Sequence, residues 1–289
     1  MIKLDKELLL SKHHGLGNDF LVLLDMAGTI LLTHSEIVAL LDRRIGVGAD
    51  GLMHVTPALA DSPSVAQMVL YNSDGSRAEM SGNGIRCLAQ ALIDSGAAPV
   101  GSFSIDTDAG VIEIESHSSF GDPVAIISVG MGMPEIHESG ERSIDGVEYR
   151  AVRADIGNPH LVLIPKRVMS NETLMRLEIA LLGPKIESEY PAGMNVEWVI
   201  PGGNRREMSL RVWERGAGIT QACGTGTTAS AFVANALGLV DDEVTVHNPG
   251  GDLSVRITAG QCYLTGPAQK VCEVAVTFSQ LNAMAALVK

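Results

Sequence analysis

The sequence predicts an α+β protein made of two similar lobes, and three observations lead there. A Gly-x-Gly helix opening occurs twice, in "EMSGNGIRCLAQALI" (79–93) and in "QACGTGTTASAFVA" (Gln221–Ala234). Around each copy lie short apolar or alternating runs bounded by Gly, Pro, Asn and Asp, the grammar of strands and tight turns. A chain of 289 residues is long enough for two medium domains with cores of their own. With aromatics at only 4%, those cores must rest on Leu, Ile, Val, Met and Ala.

From about Leu4 to Asp25 the pattern is a strand, the turn "HGLGND" and a second strand, "FLVLLD". Thr33 and Glu36 form a capping-box signature that opens a helix through "EIVALLDRR". "GVGADGLMHV" reads as a loop entering a strand, "AQMVLYNSDGS" as a strand ending in a turn, and "FSIDTDAGVIEIES" as a hairpin about Asp108-Ala109-Gly110. The polar, Gly/Pro-containing stretch "SHSSFGDP" (Ser116–Pro123) is the expected domain crossing. The same grammar then resumes. "VAIISVGMG" is a strand, and "AVRADIGNPHLVLIP" is a strand broken by a turn. "NETLMRLEIALLG" is one amphipathic helix, capped by Ser170 or Asn171 and stopped at Gly183-Pro184. "MNVEWVI", "MSLRVWE", "DLSVRITAG" and "QCYLTGP" are further strands.

A formal net charge of −13 argues against general nucleic-acid binding, which needs a basic face to displace phosphate counterions. No uninterrupted apolar run reaches 18 residues and the start lacks a secretory apolar segment, so neither a membrane span nor export is expected and the cytoplasm is. Cys87, Cys223, Cys262 and Cys272 show no CxxC spacing, which fits neither a metal site nor a disulfide framework. Three of them, Cys87, Cys262 and Cys272, read as packing residues.

The doubled element carries the chemistry. A Gly-x-Gly turn into a helix leaves backbone N–H groups unpaired at the positive end of the helix dipole, a site suited to a carboxylate or phosphate. Cys223 stands just before one such start and Ser81 before the other. There the dipole is expected to lower the Cys223 thiol toward neutrality and make a thiolate available. The bland reading is a pair of helix starts with Gly for packing and a small buried cysteine. A dinucleotide or P-loop site is disfavoured, since neither G-x-G-x-x-G nor G-x-x-x-x-G-K-[ST] is present. Two such starts clamping one carboxylate would put Ser81 and Cys223 on opposite faces of the neighbouring carbon, the arrangement that inversion of a stereocentre requires.

The blocks "HGLGNDF" (His14–Phe20), "NSDGSRAEMSGNGIRC" (Asn72–Cys87), "GNPH" (Gly157–His160), "VWERGAGITQACGTG" (Val212–Gly226) and "PGGDL…LTGPA" resemble, in order and spacing, the signatures of diaminopimelate epimerase. The resemblance implies two α/β lobes, each a mostly antiparallel curled sheet around a central helix, with the active site in the cleft between them. Residues 1–122 would form the N-terminal lobe, with the tail 275–289 returning to it, and residues 123–274 the C-terminal lobe. It implies a PLP-independent isomerase of lysine and peptidoglycan biosynthesis, with no cofactor and no metal, interconverting LL- and meso-diaminopimelate. A homodimer is compatible with it. Carried over by residue, Cys223 matches the second catalytic cysteine and Ser81 stands at the first. His160 and Glu214 match the residues that tune the thiols. Asn18, Asn72, Asn158, Asn195, Glu214 and Arg215 match the substrate-binding set, with Gly82-Asn83 and Gly224-Thr225 at the helix starts. Physically, Arg215 suits bidentate binding of a distal carboxylate, and the Asn side chains suit an ammonium and a carboxylate on one carbon. Taken singly, Asn18, Asn72 and Asn158 also read as turn residues and His160 as structural.

Ser81 departs from the pattern. An alcohol scarcely forms its anion near neutral pH, so it is expected to be a very poor base and to impair activity. Three accounts stay open: an introduced substitution, a natural homologue with weak epimerase activity, or a one-base reaction at Cys223 such as β-elimination. Racemisation of another amino acid and non-catalytic binding of an amino acid are the alternative functions. Ile219 stands where the family often has an acidic residue, and Gly51 where some members place Gln.

Overall fold

The structure, a computed structural model of the chain, describes residues 7–78 and 80–288. It divides into two compact units, Met1–Val129 with Pro267–Lys289, and Gly130–Gly266. The expected first strand begins within the described residues at Glu7, so its portion from Leu4 lies outside them.

In the first unit β1 (Glu7–Gly15) and β2 (Asn18–Leu24) form a hairpin, followed by α1 (His34–Leu41), β3 (Gly51–Pro57), β4 (Ala66–Asn72), the two-residue β5 (Arg77–Ala78), α2 (Gly82–Asp94), β6 (Ser102–Thr107), β7 (Gly110–Ser116) and β8 (Val124–Gly130). The second unit contributes β9 (Glu135–Ile144), β10 (Val147–Asp155), β11 (Pro159–Pro165), α3 (Asn171–Arg176), α4 (Ile179–Glu187), β12 (Asn195–Pro201), β13 (Glu207–Glu214), β14 (Gly218–Ile219), α5 (Gly224–Ala236), β15 (Glu243–Asn248) and β16 (Gly251–Ile257). The long β17 (Cys262–Thr277) pairs with β16 at its start and, from Gln269 on, with β1, before α6 (Phe278–Ala285).

Strand pairing reveals one plan used twice. In the first unit β1–β2 is antiparallel, β2–β3 parallel, β3–β4 antiparallel, β4–β6 parallel and β6–β7 antiparallel. In the second, β10–β11, β11–β12, β12–β13, β13–β15 and β15–β16 repeat that sequence of directions. The registers then equate individual residues. Phe20 lies opposite Gly51 and His160 opposite Asn195, so Phe20 corresponds to His160 and Gly51 to Asn195. Two residues further along β3 and β12, Met53 corresponds to Glu197. Asn72 and Glu214 end corresponding strands before corresponding short hairpins.

"FLVLL" and "HLVLI" are continuous apolar runs because both faces of these central strands are covered. Leu21 and Leu23 pack with Leu40, Leu41 and Leu281 into a cluster between the sheet, α1 and α6. On the other face Phe20 meets the start of α2. Leu161 and Leu163 pack with Trp198, Ile179 and Ile186 in the second unit's matching cluster. α2 is buried along its length from Gly82 to Ile93, and α5 packs against β11, β12 and β16. Each unit thus wraps a mostly antiparallel sheet around one central helix.

Several expectations change. The stretch 116–123 is a turn joining the antiparallel pair β7 and β8 inside the first unit, and the units divide between 129 and 130. The predicted single helix over 171–183 is two, broken at Leu177-Glu178, with Ser170 as N-cap of the first. Pro184 lies inside α4 instead of stopping it. The bond its missing N–H forfeits would have gone to the carbonyl of Ala180, which is exposed and reachable by water. α1 ends at Leu41, where Asp42 turns out of the helix and accepts the amides of Arg44 and Ile45. Cys87 and Cys262 are buried as expected, whereas Cys272 is exposed on β17. β9, β15 and α6 have no counterpart in the sequence reading.

Leu281 is fully buried and anchors α6 on α1. Leu281→Ala is expected to cost about 2–5 kcal/mol in urea unfolding, the range for a cavity left in an aliphatic core.

Candidate active site

Ser81 and Cys223 are the N-caps of α2 and α5, each extended in backbone (φ −134° and −117°). The Gly84 amide donates to Ser81 Oγ at 3.2 Å and the Gly226 amide to Cys223 Sγ at 3.4 Å. Each side chain therefore takes up one of the amides a helix start leaves unpaired. The second glycine of each motif has its own reason. A Cβ on Gly84 would come within 3.3 Å of the Phe20 ring, and one on Gly226 within 2.6 Å of Glu197 Oε1 and 3.3 Å of Cys223 Sγ.

In the first unit, Asn83 Nδ2 donates to Asn18 Oδ1 (3.2 Å) and Asn18 Nδ2 to Asp50 Oδ2 (2.8 Å), so Asn18, Asn83 and Ser81 share one neighbourhood. Arg86, which the sequence reading passed over, organises it. Its fully buried guanidinium donates to Gly82 O (2.9 Å), Asn83 Oδ1 (2.7 Å) and Pro267 O (3.3 Å). Burial lowers its pKa to about 10, which leaves it cationic at neutral pH. A charged residue inside an otherwise apolar helix was the available signal. Asn72 is exposed and its side chain bonds Ser76 across the adjacent turn.

In the second unit the predicted residues converge more tightly. His160 Nδ1 lies 2.6 Å from Glu197 Oε1, both side chains fully buried, and its Nε2 lies 3.0 Å from Asn158 Oδ1. Asn158 Nδ2 donates to Thr225 Oγ1 at 3.3 Å, and Thr225 Oγ1 is 3.5 Å from Cys223 Sγ. Glu214 accepts from Thr220 Oγ1, and its carboxylate lies close enough to Cys223 to act on the thiol electrostatically. Asn195 Nδ2 donates to Pro159 O (2.8 Å), and its Oδ1 receives the Arg215 amide (2.9 Å), which fixes where Glu214 and Arg215 leave the sheet. The Arg215 guanidinium is exposed and reaches Ala192 O (3.1 Å). Glu197 was missed, although a glutamate at the centre of "NVEWV", a strand buried on both faces, is a strong irregularity.

Electrostatics overturn one expectation. The amide of Gly226 and the hydroxyl of Thr225 do favour a thiolate at Cys223, as a helix start should. Burial opposes it more strongly, and Glu214 and Glu197 add to the opposition, so the thiol sits well above its ordinary pKa. Burial also raises Glu214, against bonds from Thr220 and Cys223 that lower it. Among the described residues no group of His, Cys, Asp or Glu could hold a metal ion, and no helix is long and apolar enough to cross a membrane.

The fold defines the class. The chain matches a solved PhzF-family phenazine biosynthesis protein from Bacillus anthracis (TM-score 0.73, 17% identity, 94% of this chain and 100% of that one). It also matches a hydroxyproline epimerase from Agrobacterium vitis (TM-score 0.71, 17% identity, 94% and 93%). The chain shares its fold with both. Sequence narrows it: residues 10–137 and 152–271 match the family model described as diaminopimelate epimerase. The chain is 39% identical to diaminopimelate epimerase of Desulfitobacterium hafniense over 90% of this chain and 95% of that protein. It is 38% identical to that of Corynebacterium glutamicum over 89% and 94%. The chain belongs to the diaminopimelate epimerase family, and it is an isomerase.

A carboxyl whose pKa is higher folded than unfolded stabilises the protein fully below its unfolded value, and that contribution is lost as pH rises through the folded value. Glu214→Gln is therefore expected to raise Tm relative to the parent at neutral pH and to lose that advantage in acid. Parallel melting curves across the two conditions measure it. Gly226→Ala, which drives a methyl into Glu197 and Cys223 Sγ, is expected to destabilise by about 1–3 kcal/mol, against under 1 kcal/mol for alanine at an unobstructed helical glycine.

Proposed function

We propose that this chain interconverts LL- and meso-2,6-diaminopimelate by proton transfer at the α-carbon, without a cofactor, and that Ser81 makes it slow. The observation that carries the reading is that positions 81 and 223 are corresponding N-caps of the two central helices in a duplicated fold. Inversion needs one group to remove a proton from one face of the carbon and another to return a proton to the opposite face. The amides at the two helix starts suit the substrate carboxylate, which gathers charge as the α-proton leaves. Asn18, Asn72, Asn158 and Asn195 are the polar groups for the ammonium and carboxylate of the reacting centre, and Arg215 for the distal carboxylate.

Cys223 rests as a thiol, so it is the proton donor of the resting enzyme. It serves as a base only once its proton has been drawn off, and the reading assigns that proton to the neighbouring carboxylate, Glu214. The opposite face then requires a base at position 81. A hydroxyl there, even with an amide donating to it, is far less acidic than a thiol and supplies little anion.

Deuterium wash-in from solvent into LL- and meso-diaminopimelate tests this directly. Ser81→Cys is expected to raise inversion on the order of 10²- to 10⁴-fold, the span of one general base. If the Ser81→Cys enzyme neither exchanges nor inverts either isomer, the substrate assignment is wrong. Ser81 also favours a second reading, a lyase that uses Cys223 alone on a β-substituted amino acid. Release of a keto acid by the unmutated chain, with no inverted product, would select it.

A further inference from the structure

The duplicated plan shows which parts of the second unit the fold itself does not demand. Where the second unit buries His160 and Glu197, the first buries Phe20 and Met53, on corresponding strands and in the same register. An apolar pair thus satisfies this backbone. An ionisable pair of no exposure carries a desolvation penalty, and its second carboxylate oxygen, Glu197 Oε2, finds no hydrogen-bond partner among the described residues.

A second difference lies next to it. The contact between the strand asparagine and the helix-start residue exists in both units but runs in opposite directions. In the first, Asn83 of the helix donates to Asn18. In the second, Asn158 of the strand side donates to Thr225 of the helix. With an oxygen lone pair of Thr225 occupied by Asn158 Nδ2, its own hydrogen is free for the sulfur 3.5 Å away. That direction is set at the far end. Both ring nitrogens of His160 face oxygens, Glu197 Oε1 and Asn158 Oδ1, so each contact needs a hydrogen. Glu197 Oε1, 2.6 Å from Nδ1, holds the ring in this orientation.

We propose that Glu197 is a positioning residue for Cys223: by holding the His160 ring through Nδ1, it orients Asn158 and Thr225 so that the relay ends as a hydrogen-bond donor on Sγ. This rests on Cys223 being the acid/base group of the reading above. The ionisable groups acting on the thiol are Glu214 from β13 and Glu197 from β12, His160 from β11 pairs with Glu197, and α5 adds the Gly226 amide and the Thr225 hydroxyl.

The alternative, in which Glu197 acts on the thiol only as a nearby negative charge, predicts the opposite sign. The test is the iodoacetamide alkylation rate of Cys223 across pH, resolved from exposed Cys272 by peptide mass spectrometry, without substrate. Glu197→Gln is expected to slow Cys223 at fixed pH about tenfold, the lower end for loss of a hydrogen bond to a charged group. Thr225→Val is expected to slow it similarly, and the double variant scarcely further, because both cut one relay. Thr225→Ser keeps the hydroxyl and is expected to restore the rate. As a variant the fold has already accommodated in its other half, His160→Phe/Glu197→Met is expected to melt no lower than the parent while losing the same reactivity. Alkylation in Glu197→Gln as fast as the parent's or faster, or multiplicative losses with Thr225→Val, would overturn the proposal. Because no step uses diaminopimelate, that failure is separable from failure of the epimerase reading.

Discussion

In both units a side chain accepts the amide three residues ahead of it and so becomes the first residue of a buried helix. Everything local to the site follows from that bond. It holds the Ser81 oxygen and the Cys223 sulfur at the positive end of a helix dipole. The residue that donates the amide must be glycine, since a strand of the surrounding sheet crosses within van der Waals reach of it. At Gly84 the crossing group is the Phe20 ring, and at Gly226 it is the Glu197 carboxylate. The repeated Gly-x-Gly is therefore a record of two close approaches of different chemistry.

The two halves share a backbone plan and have diverged in charge. Around Ser81 lie a buried guanidinium, Arg86, and neutral amides; around Cys223 lie Glu214, Glu197 and His160. Position 81 carries an alcohol, a weaker acid than the thiol at position 223.

Burial decides the thiol. The sequence reading treated the helix start as the dominant influence on Cys223, and the amide of Gly226 does act in that direction. The structure adds what no spacing reveals: near-complete burial and two carboxylates brought in from β12 and β13. Desolvation of a single charge in a dry pocket outweighs one long amide–sulfur contact.

By itself the sequence determined the doubled helix start, the strands with alternating or doubly buried patterns, and the capping box at Thr33 and Glu36. Each is written in local periodicity or in a polar residue at a fixed offset, whereas His160, Asn158 and Glu214 were reached through the resemblance of whole blocks to a family. Of the missed elements, α6 carries a capping box at Thr277 and Gln280 and β15 alternates at Val244 and Val246, but two others lacked such marks. β9 is exposed along nearly its whole length, so no apolar alternation announces it, and the break at Leu177-Glu178 interrupts a run whose apolar spacing continues across it. Only the tertiary structure decided that Phe20 and Met53 stand where His160 and Glu197 do. It alone decided that Arg86 closes on Pro267 and that the thiol is dry. Those facts depend on strand register and on contacts between residues far apart in the chain, and neither is encoded in a neighbourhood of a few residues.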